Sequence, residues 1–182
     1  MKTSSKTTTF LKECMADALL QAMKDQPFSK ITINQITKEA GVNRSTWFRN
    51  FDTKSDALTF KLVMSWNRWA SEHGLKQRHR YTVENVETFF EFNLSIRSIL
   101  EVIYKADQQA CVYNAFYQVM MPNSTDDISE KYQARFYSFG LFGLLDEWIK
   151  RECKETPHQL SLIFKKIMEE NLQYEIFMEA KN

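Results

Sequence analysis

The chain has 182 residues, of which 43% are hydrophobic, and only 4 are Gly and 3 are Pro. A chain of this length and composition can bury a core, and the scarcity of helix breakers indicates an all-α fold. No apolar run approaches the roughly 18 residues that a membrane-spanning helix requires, which argues against an integral membrane protein.

The segment from Met1 to Thr9 is polar and lacks the apolar stretch of a signal peptide. The cysteines, Cys14, Cys111 and Cys153, are far apart, odd in number and form no CxxC pair. That usage is typical of free thiols in a reducing compartment. We therefore expect a cytoplasmic protein.

The net charge of +1 is unevenly distributed along the chain. Residues 1–55 contain nine Lys and Arg against five Asp and Glu, whereas residues 56–182 contain fifteen against eighteen. A basic first segment on a mildly acidic remainder fits a segment that meets phosphate groups. The contrast is modest and does not by itself identify a DNA-binding protein.

Hydrophobic periodicity predicts the first two helices. Apolar residues recur at i, i+3, i+4 and i+7 over residues 10–23, which predicts an amphipathic helix that ends before Pro27. Thr32 has the residue type of an N-cap for a short helix reaching about residue 40. Gly41 should end that helix in the left-handed conformation.

The later helices follow from cap signals and further periodicity. Asn43 can cap a helix over residues 44–50, and Thr53 with Asp56 resembles a capping box for a helix over residues 54–72. The polar, basic segment from Gly74 to Thr82 is the clearest connector. Beyond it we predict helices over residues 83–105, 107–121 and 126–154, and a last helix from Pro157 to about residue 179.

Residues 28–58 read FSKITINQITKEAGVNRSTWFRNFDTKSDAL. Two short helices flank a tight glycine turn there, which is the layout of a helix-turn-helix. The second helix must be short and polar at its N-terminal end, because that end enters the major groove. Arg44, Ser45 and Thr46 supply donors at that end, and Arg44 can bond two acceptors of one guanine. Contact of Arg44 with phosphate is the alternative.

This stretch resembles the TetR/AcrR family of transcriptional regulators, and the resemblance covers residues 10–60. It rests on these residues: Thr32, Ile36, Ala40, Gly41, Val42, Thr46, Phe51, Lys54 and Leu58. The resemblance implies a homodimer that binds palindromic, double-stranded operator DNA. It divides the chain into a three-helix, helix-turn-helix DNA-binding domain over residues 1–55 and a C-terminal helical domain over residues 56–182 for dimerisation and effector binding.

The resemblance also implies roles for single side chains. Thr32, Asn34 and Lys54 should lie near phosphate at the starts of the second and fourth helices. The implied DNA-binding residues are Thr32, Asn34, Asn43, Arg44, Ser45, Thr46, Phe48, Arg49, Asn50 and Lys54. Phe48 stands where the family has Tyr, so a hydroxyl that would bond phosphate is missing. Binding should then depend more on Arg44, Arg49 and Lys54.

Residues 136–157, FYSFGLFGLLDEWIKRECKETP, are similar to the C-terminal domain of TetR-like regulators of Firmicutes. Some of those relatives govern dihydroxyacetone kinase operons, sometimes as activators. Residues 136–145 are apolar nearly all round, so this helix must be covered on two sides. We predict that a partner subunit covers one side in a symmetric four-helix interface containing Tyr132, Phe136, Phe139, Gly143, Ile163 and Ile167. A fully intramolecular core is the alternative.

A candidate effector pocket combines aromatic walls with a few polar groups. Its residues are Phe89, Phe90, Asn93, Arg97, Tyr113 and Tyr117. Plain core packing is the alternative for the aromatic side chains, and a solvated face is the alternative for the two polar ones. We predict no cofactor and no metal site, because His73, His79 and His158 are scattered away from other ligand residues.

Two functions fit these observations. The first is a ligand-responsive repressor, and the second is an activator or DNA-binding adaptor that a protein co-regulator controls. An effector-sized cavity in the second domain would favour the first, whereas a filled core with an exposed apolar groove would favour the second. No Ser-His-Asp set, glycine-rich phosphate loop or carboxylate pair is visible, so we do not expect an enzyme.

Overall fold

The computed structural model describes residues 2–75, 85–121 and 127–171. Within these ranges the chain forms nine α-helices and one 3₁₀ turn, and the predicted all-α fold is confirmed. The helices are α1 (Lys2–Asp25), α2 (Ile33–Glu39), α3 (Arg44–Phe48), α4 (Lys54–Glu72), α5 (Val86–Ser95), α6 (Arg97–Lys105), α7 (Ala110–Met120), α8 (Ile128–Lys150) and α9 (Pro157–Asn171). The 3₁₀ turn, Phe28–Lys30, lies between α1 and α2.

Helix α4 packs against both the N-terminal and the C-terminal part of the chain. It lies along α1 in the N-terminal part and along α7 in the C-terminal part. Leu58 and Leu62 on α4 are buried in the same apolar cluster as Leu19 of α1 and Val112 of α7. The two parts therefore share a continuous core through α4.

The N-terminal part, which we call the head, consists of α1, α2, α3 and the first turns of α4. Met15 and Leu19 of α1 are fully buried with Ile36 of α2 and Trp47 of α3. The Trp47 ring packs against Phe51 with the ring centroids 5.2 Å apart. One large aromatic side chain thus holds the short α3 onto the longer helices.

The C-terminal part, which we call the body, has an aromatic core. Trp66 of α4 meets the ring of Phe92 at a centroid distance of 5.1 Å, and Phe90 meets Trp148 of α8 at 5.7 Å. Helix α5 packs on α9, and α7 packs on α8. In the parts of the chain that the structure describes, every helix is too short or too polar to cross a bilayer.

The sequence predicted one helix over residues 83–105, and that prediction is wrong. Helix α5 ends at Ser95, and α6 begins after Ile96, whose backbone angles are φ −104° and ψ 17°. The Ser95 hydroxyl donates to the Phe92 carbonyl (2.6 Å), which also accepts from the Ile96 amide (3.2 Å). This local side-chain bond competes with the helical ladder, and no Pro or Gly marks the break.

Gly41 ends α2 as predicted. Its φ is +66°, its amide donates to the Lys38 carbonyl (3.2 Å), and the Val42 amide donates to the Thr37 carbonyl (2.9 Å). These two bonds make a Schellman motif, which satisfies the last carbonyls of the helix. The turn that separates α2 from α3 is therefore fixed by backbone geometry.

Gly41→Ala should lower the free energy of unfolding by about 1–2 kcal/mol, because a Cβ is strained in the left-handed region. No atom lies within 4 Å of the Cβ position, so the cost comes from the backbone conformation and not from a clash. Urea denaturation followed by circular dichroism measures it. Glu39→Ala, at the last residue of the same helix, is the control and should change stability by about 0.5 kcal/mol or less. Equal effects of the two substitutions would contradict the role given to Gly41.

Candidate nucleic-acid interface

Helix α2 is held at both ends by local hydrogen bonds. The Gln35 amide donates to the Thr32 hydroxyl (3.2 Å), and the Thr32 amide donates to the Gln35 side-chain oxygen (2.8 Å). The sequence predicted Thr32 as N-cap, and the structure completes this into a full capping box. The Thr32 hydroxyl is therefore already engaged, whereas Asn34, the other residue predicted at this helix start, is exposed.

Helix α3 has one buried side and one exposed side. Thr46 and Trp47 are buried against the head. The exposed residues of this segment are Asn43, Arg44, Ser45, Phe48 and Arg49, and we call them the reading surface. All five belong to the DNA-binding set expected from the sequence. The structure brings them together on one short helix whose opposite side is anchored in the core.

Arg44 and Phe48 form a stacked pair on the reading surface. The guanidinium carbon of Arg44 lies 5.0 Å from the centroid of the Phe48 ring, and Phe48 is 55% exposed. A cation over an aromatic face is attracted to it, which restricts the rotamers of the arginine. Among the described residues, neither Arg44 nor Arg49 takes part in an ion pair. Both cations are available to an anionic partner.

Thr46 and its neighbours stabilise the end of α3. Arg49 Nη2 donates to Thr46 Oγ1 (3.3 Å), and Asn50 Nδ2 donates to the Thr46 carbonyl (2.6 Å). Thr46 is buried and Asn50 is half-buried. Thr46 and Asn50, both expected to contact DNA, therefore have hydrogen-bond partners within the head. Arg49 and Asn50 follow Thr46 by three and four residues, and this spacing is the sequence signal for the two bonds.

Lys54 ties the start of α4 to the 3₁₀ turn. Its Nζ donates to the Phe28 carbonyl and, at 2.8 Å, to the Ile31 carbonyl, and it lies 4.3 Å from the centroid of the Phe28 ring. Partial burial lowers the pKa of the Lys54 ammonium. A phosphate at this helix start, as the sequence predicts, would have to share the ammonium with these two carbonyls.

A direct side-chain contact joins the head to the body. The Ser55 hydroxyl, in the first turn of α4, donates to Gln108 Oε1 at 2.7 Å. One turn further along α4, the Thr59 hydroxyl donates to the Cys111 carbonyl at 3.4 Å. Gln108 lies in the turn between α6 and α7, so this turn touches the same helix end that carries Lys54.

The residues predicted for a dimer interface all lie at the surface of the described chain. They are Tyr132, Phe136, Phe139, Gly143, Ile163 and Ile167, and we call them the α8–α9 apolar face. Phe136 is 67% exposed, and the opposite side of α8 is buried through Ser138, Leu141 and Leu145. Ile128 and Leu162 are also exposed, and the four-residue spacing of Ile128 from Tyr132 could have revealed it.

The residues predicted for an effector pocket do not surround one space. Phe89 and Phe90 are packed in the aromatic core. Tyr113 and Tyr117 instead contact Arg135 of α8, whose guanidinium carbon lies 3.7 Å from the Tyr117 ring centroid and whose Nη1 donates to the Tyr113 hydroxyl at 2.5 Å. Asn93 and Arg97, the two polar residues of the set, border a separate cavity of about 130 Å³ between α5, α6 and α8.

Comparison with protein families identifies the body. Residues 82–170 match the TetR family model described as a transcriptional regulator C-terminal region. A TetR-type C-terminal domain is present. The match includes α5, α6, α7, α8 and almost all of α9, so it contains both the α8–α9 apolar face and the 130 Å³ cavity. It supports a transcriptional regulator. Comparison with curated proteins gives no match.

The sequence analysis did not predict several contacts of this chain. Gln108 and Arg135 had no assigned role, yet each bonds a side chain more than 20 residues away. Lys54 was assigned to phosphate only, whereas its ammonium bonds backbone carbonyls 23 and 26 residues earlier. Periodicity and caps report neighbours along a helix, so they carry no signal for such distant partners.

Lys54→Met should lower the free energy of unfolding by about 1–2 kcal/mol, because methionine removes the two bonds that the ammonium donates to the Phe28 and Ile31 carbonyls. Lys38→Met, at an exposed position on α2, is the matched control and should have little effect. Urea denaturation measures both variants. The slope of DNA affinity against salt concentration then tests the phosphate contact, since loss of one contact should reduce that slope by about one. Unchanged stability in Lys54→Met would contradict the bracing role.

Proposed function

We propose that this TetR-type regulator binds palindromic operator DNA as a homodimer and represses transcription until a small ligand binds its body. The observation that carries the proposal is the reading surface. It places two arginines without an ion pair, two polar side chains and one exposed aromatic ring on a five-residue helix and its two caps, which Trp47 anchors. That arrangement suits insertion of one helix into a major groove.

The chemistry of the reading surface fits base edges. The guanidinium of Arg44 can donate two parallel bonds to the O6 and N7 atoms of a guanine. The Phe48 ring lies directly under that guanidinium and offers apolar surface to a neighbouring thymine methyl group. The side chain of Asn43 makes no capping bond to α3, so its amide is free for a base or a phosphate.

The α8–α9 apolar face supports the proposed homodimer. Large exposed apolar patches mark interaction surfaces, and a twofold dimer uses the same patch of both subunits. Gly140 and Gly143 lie exposed on α8 with no atom within 4 Å of their Cβ positions, which leaves room for close approach of a second helix. Two heads held by such an interface could read half-sites one helical turn apart.

The proposal also states the direction of regulation, which is repression. Repression is the default of the TetR family, whereas activation occurs among the relatives that govern dihydroxyacetone kinase operons. The cavity in the body favours control by a ligand over control by a protein partner, because it offers enclosed space beside polar groups. The bond from Ser55 to Gln108 gives the body a direct contact with the head.

The first experiment is binding of the purified chain to the DNA upstream of its own gene, at two salt concentrations. We expect a specific complex on a palindromic stretch that weakens as salt rises. Arg44→Ala should cost about 1–3 kcal/mol of preference for that stretch over unrelated DNA if Arg44 reads a base. Arg151→Ala, at an exposed position beyond α8, is the control and should leave the complex unchanged.

Three results of this experiment are informative. Equal weakening of Arg44→Ala on operator and unrelated DNA would show that Arg44 contacts phosphate only. Binding of the wild-type chain only when a further factor from the cell is added would favour the activator or adaptor. No binding under any of these conditions would refute the proposal that the reading surface reads DNA.

Phe136→Glu should convert the proposed dimer into monomers, because it places a charge on the α8–α9 apolar face. Sedimentation equilibrium measures the mass, and affinity for the palindrome should fall together with it. Phe10→Glu is a matched control, since Phe10 on α1 is 63% exposed and lies outside that face. A Phe136→Glu protein that keeps the wild-type mass would show that the dimer, if formed, uses another surface.

A further inference from the structure

Asn93 on α5 is a polar side chain buried in an apolar body. It is 1% exposed, and its Nδ2 donates to the Phe89 carbonyl at 2.8 Å. Its Oδ1 is buried and has no hydrogen-bond partner among the described residues. Buried acceptors in folded proteins are nearly always paired, so an unpaired one indicates a partner that the chain itself does not supply.

Two spaces next to Asn93 could hold such a partner. On one side lies an apolar crevice of about 10 Å³, which is at the lower limit for a single water molecule. On the other side lies the cavity of about 130 Å³ between α5, α6 and α8. Only the larger space can admit a molecule with more than one heavy atom.

Water is a poor occupant of the inner part of this cavity. Leu100, Leu145 and Trp148 line it and are buried. The indole N–H of Trp148 is already used, since it donates to the Glu155 carbonyl at 2.9 Å. A buried water needs two to four polar partners, whereas Leu100, Leu145 and Trp148 offer none beside Asn93 Oδ1.

The outer part of the cavity indicates the charge of the ligand. Arg97 lies there, but its Nε bonds the Glu101 carboxylate at 2.6 Å, and Glu152 also borders the opening. The three groups together carry one negative charge, so the opening offers no free cation to an anionic ligand. A neutral molecule enters without losing a counter-ion.

We propose that the cavity binds a small neutral cyclic alcohol or phenol, whose hydroxyl donates to Asn93 Oδ1 and whose ring contacts Leu100, Leu145 and Trp148. An apolar cavity of about 150 Å³ in another protein admits benzene, so 130 Å³ suits one ring of that size. The inference rests on the ligand-responsive function proposed above and names the site and the ligand class. Helix α6 borders the site at Arg97 and leads to the turn in which Gln108 meets Ser55 of the head.

Phenol and toluene provide matched probes, because both have seven heavy atoms and differ in one hydroxyl. Titration of the full chain with each probe, followed by NMR shifts of the tryptophan indole N–H signals, measures both dissociation constants. Phenol should bind at least tenfold more tightly than toluene and should shift the Trp148 signal, which Trp148→Phe identifies by its loss. Equal affinities, or no shift up to the solubility of either probe, would overturn the proposal.

Asn93→Leu has a similar volume and removes the acceptor. It should abolish the preference for phenol, while Asn114→Leu, at an exposed position on α7, should keep it. A preference that survives in Asn93→Leu would also overturn the proposal. The comparison of the two probes on the wild-type chain remains a test even if Asn93→Leu does not fold, which its circular dichroism spectrum reports.

Operator binding on the same preparations separates this inference from the proposed function. Absence of phenol binding beside an intact, specific DNA complex refutes the site and leaves the DNA-binding function standing. Phenol binding without any DNA complex refutes the DNA-binding function and leaves the site standing. Release of operator DNA by phenol would support both together.

Discussion

The packing of α4 against both α1 and α7 constrains the rest of the molecule. The same 19 residues have to complete the core of the head and the core of the body. Because protein interiors are close-packed, a shift of α4 that improves one core must disturb the other. The position of the reading surface therefore depends on the packing of the body, although no residue of the body lies in it.

How well the sequence predicts each feature of this fold depends on how far apart in the chain the interacting residues lie. The N-cap at Thr32, the capping box at Thr53 and the left-handed turn at Gly41 involve residues within five positions of one another, and their residue types predicted them. The break at Ile96 is also local, but it arises from a serine hydroxyl that usually has no such effect. The helix end at residue 105 agrees with the predicted bound, although Asp107, which follows it with a positive φ, is not a glycine.

The two candidate sites also differ in how well the sequence predicted them. The five members of the reading surface belong to the set that the family resemblance implied, whereas the burial of Trp47 behind them was not predicted. The effector set was not foreseen correctly as one group, since it mixed side chains from several helices whose rotations about their axes are set by tertiary packing. Asn93 and Arg97 share a cavity. Tyr113 turns instead towards Arg135, which bonds its hydroxyl.

The exposed aromatic side chains of α8 have a further consequence for how the protein behaves in a cell. If the proposed homodimer forms, a newly made subunit exposes Tyr132, Phe136 and Phe139 until its partner covers them. Pairing of identical subunits rises with the square of their concentration, and so would the number of complete reading units. A gene controlled by such a protein would respond steeply to the copy number of its regulator, and a cell could set the threshold through synthesis alone.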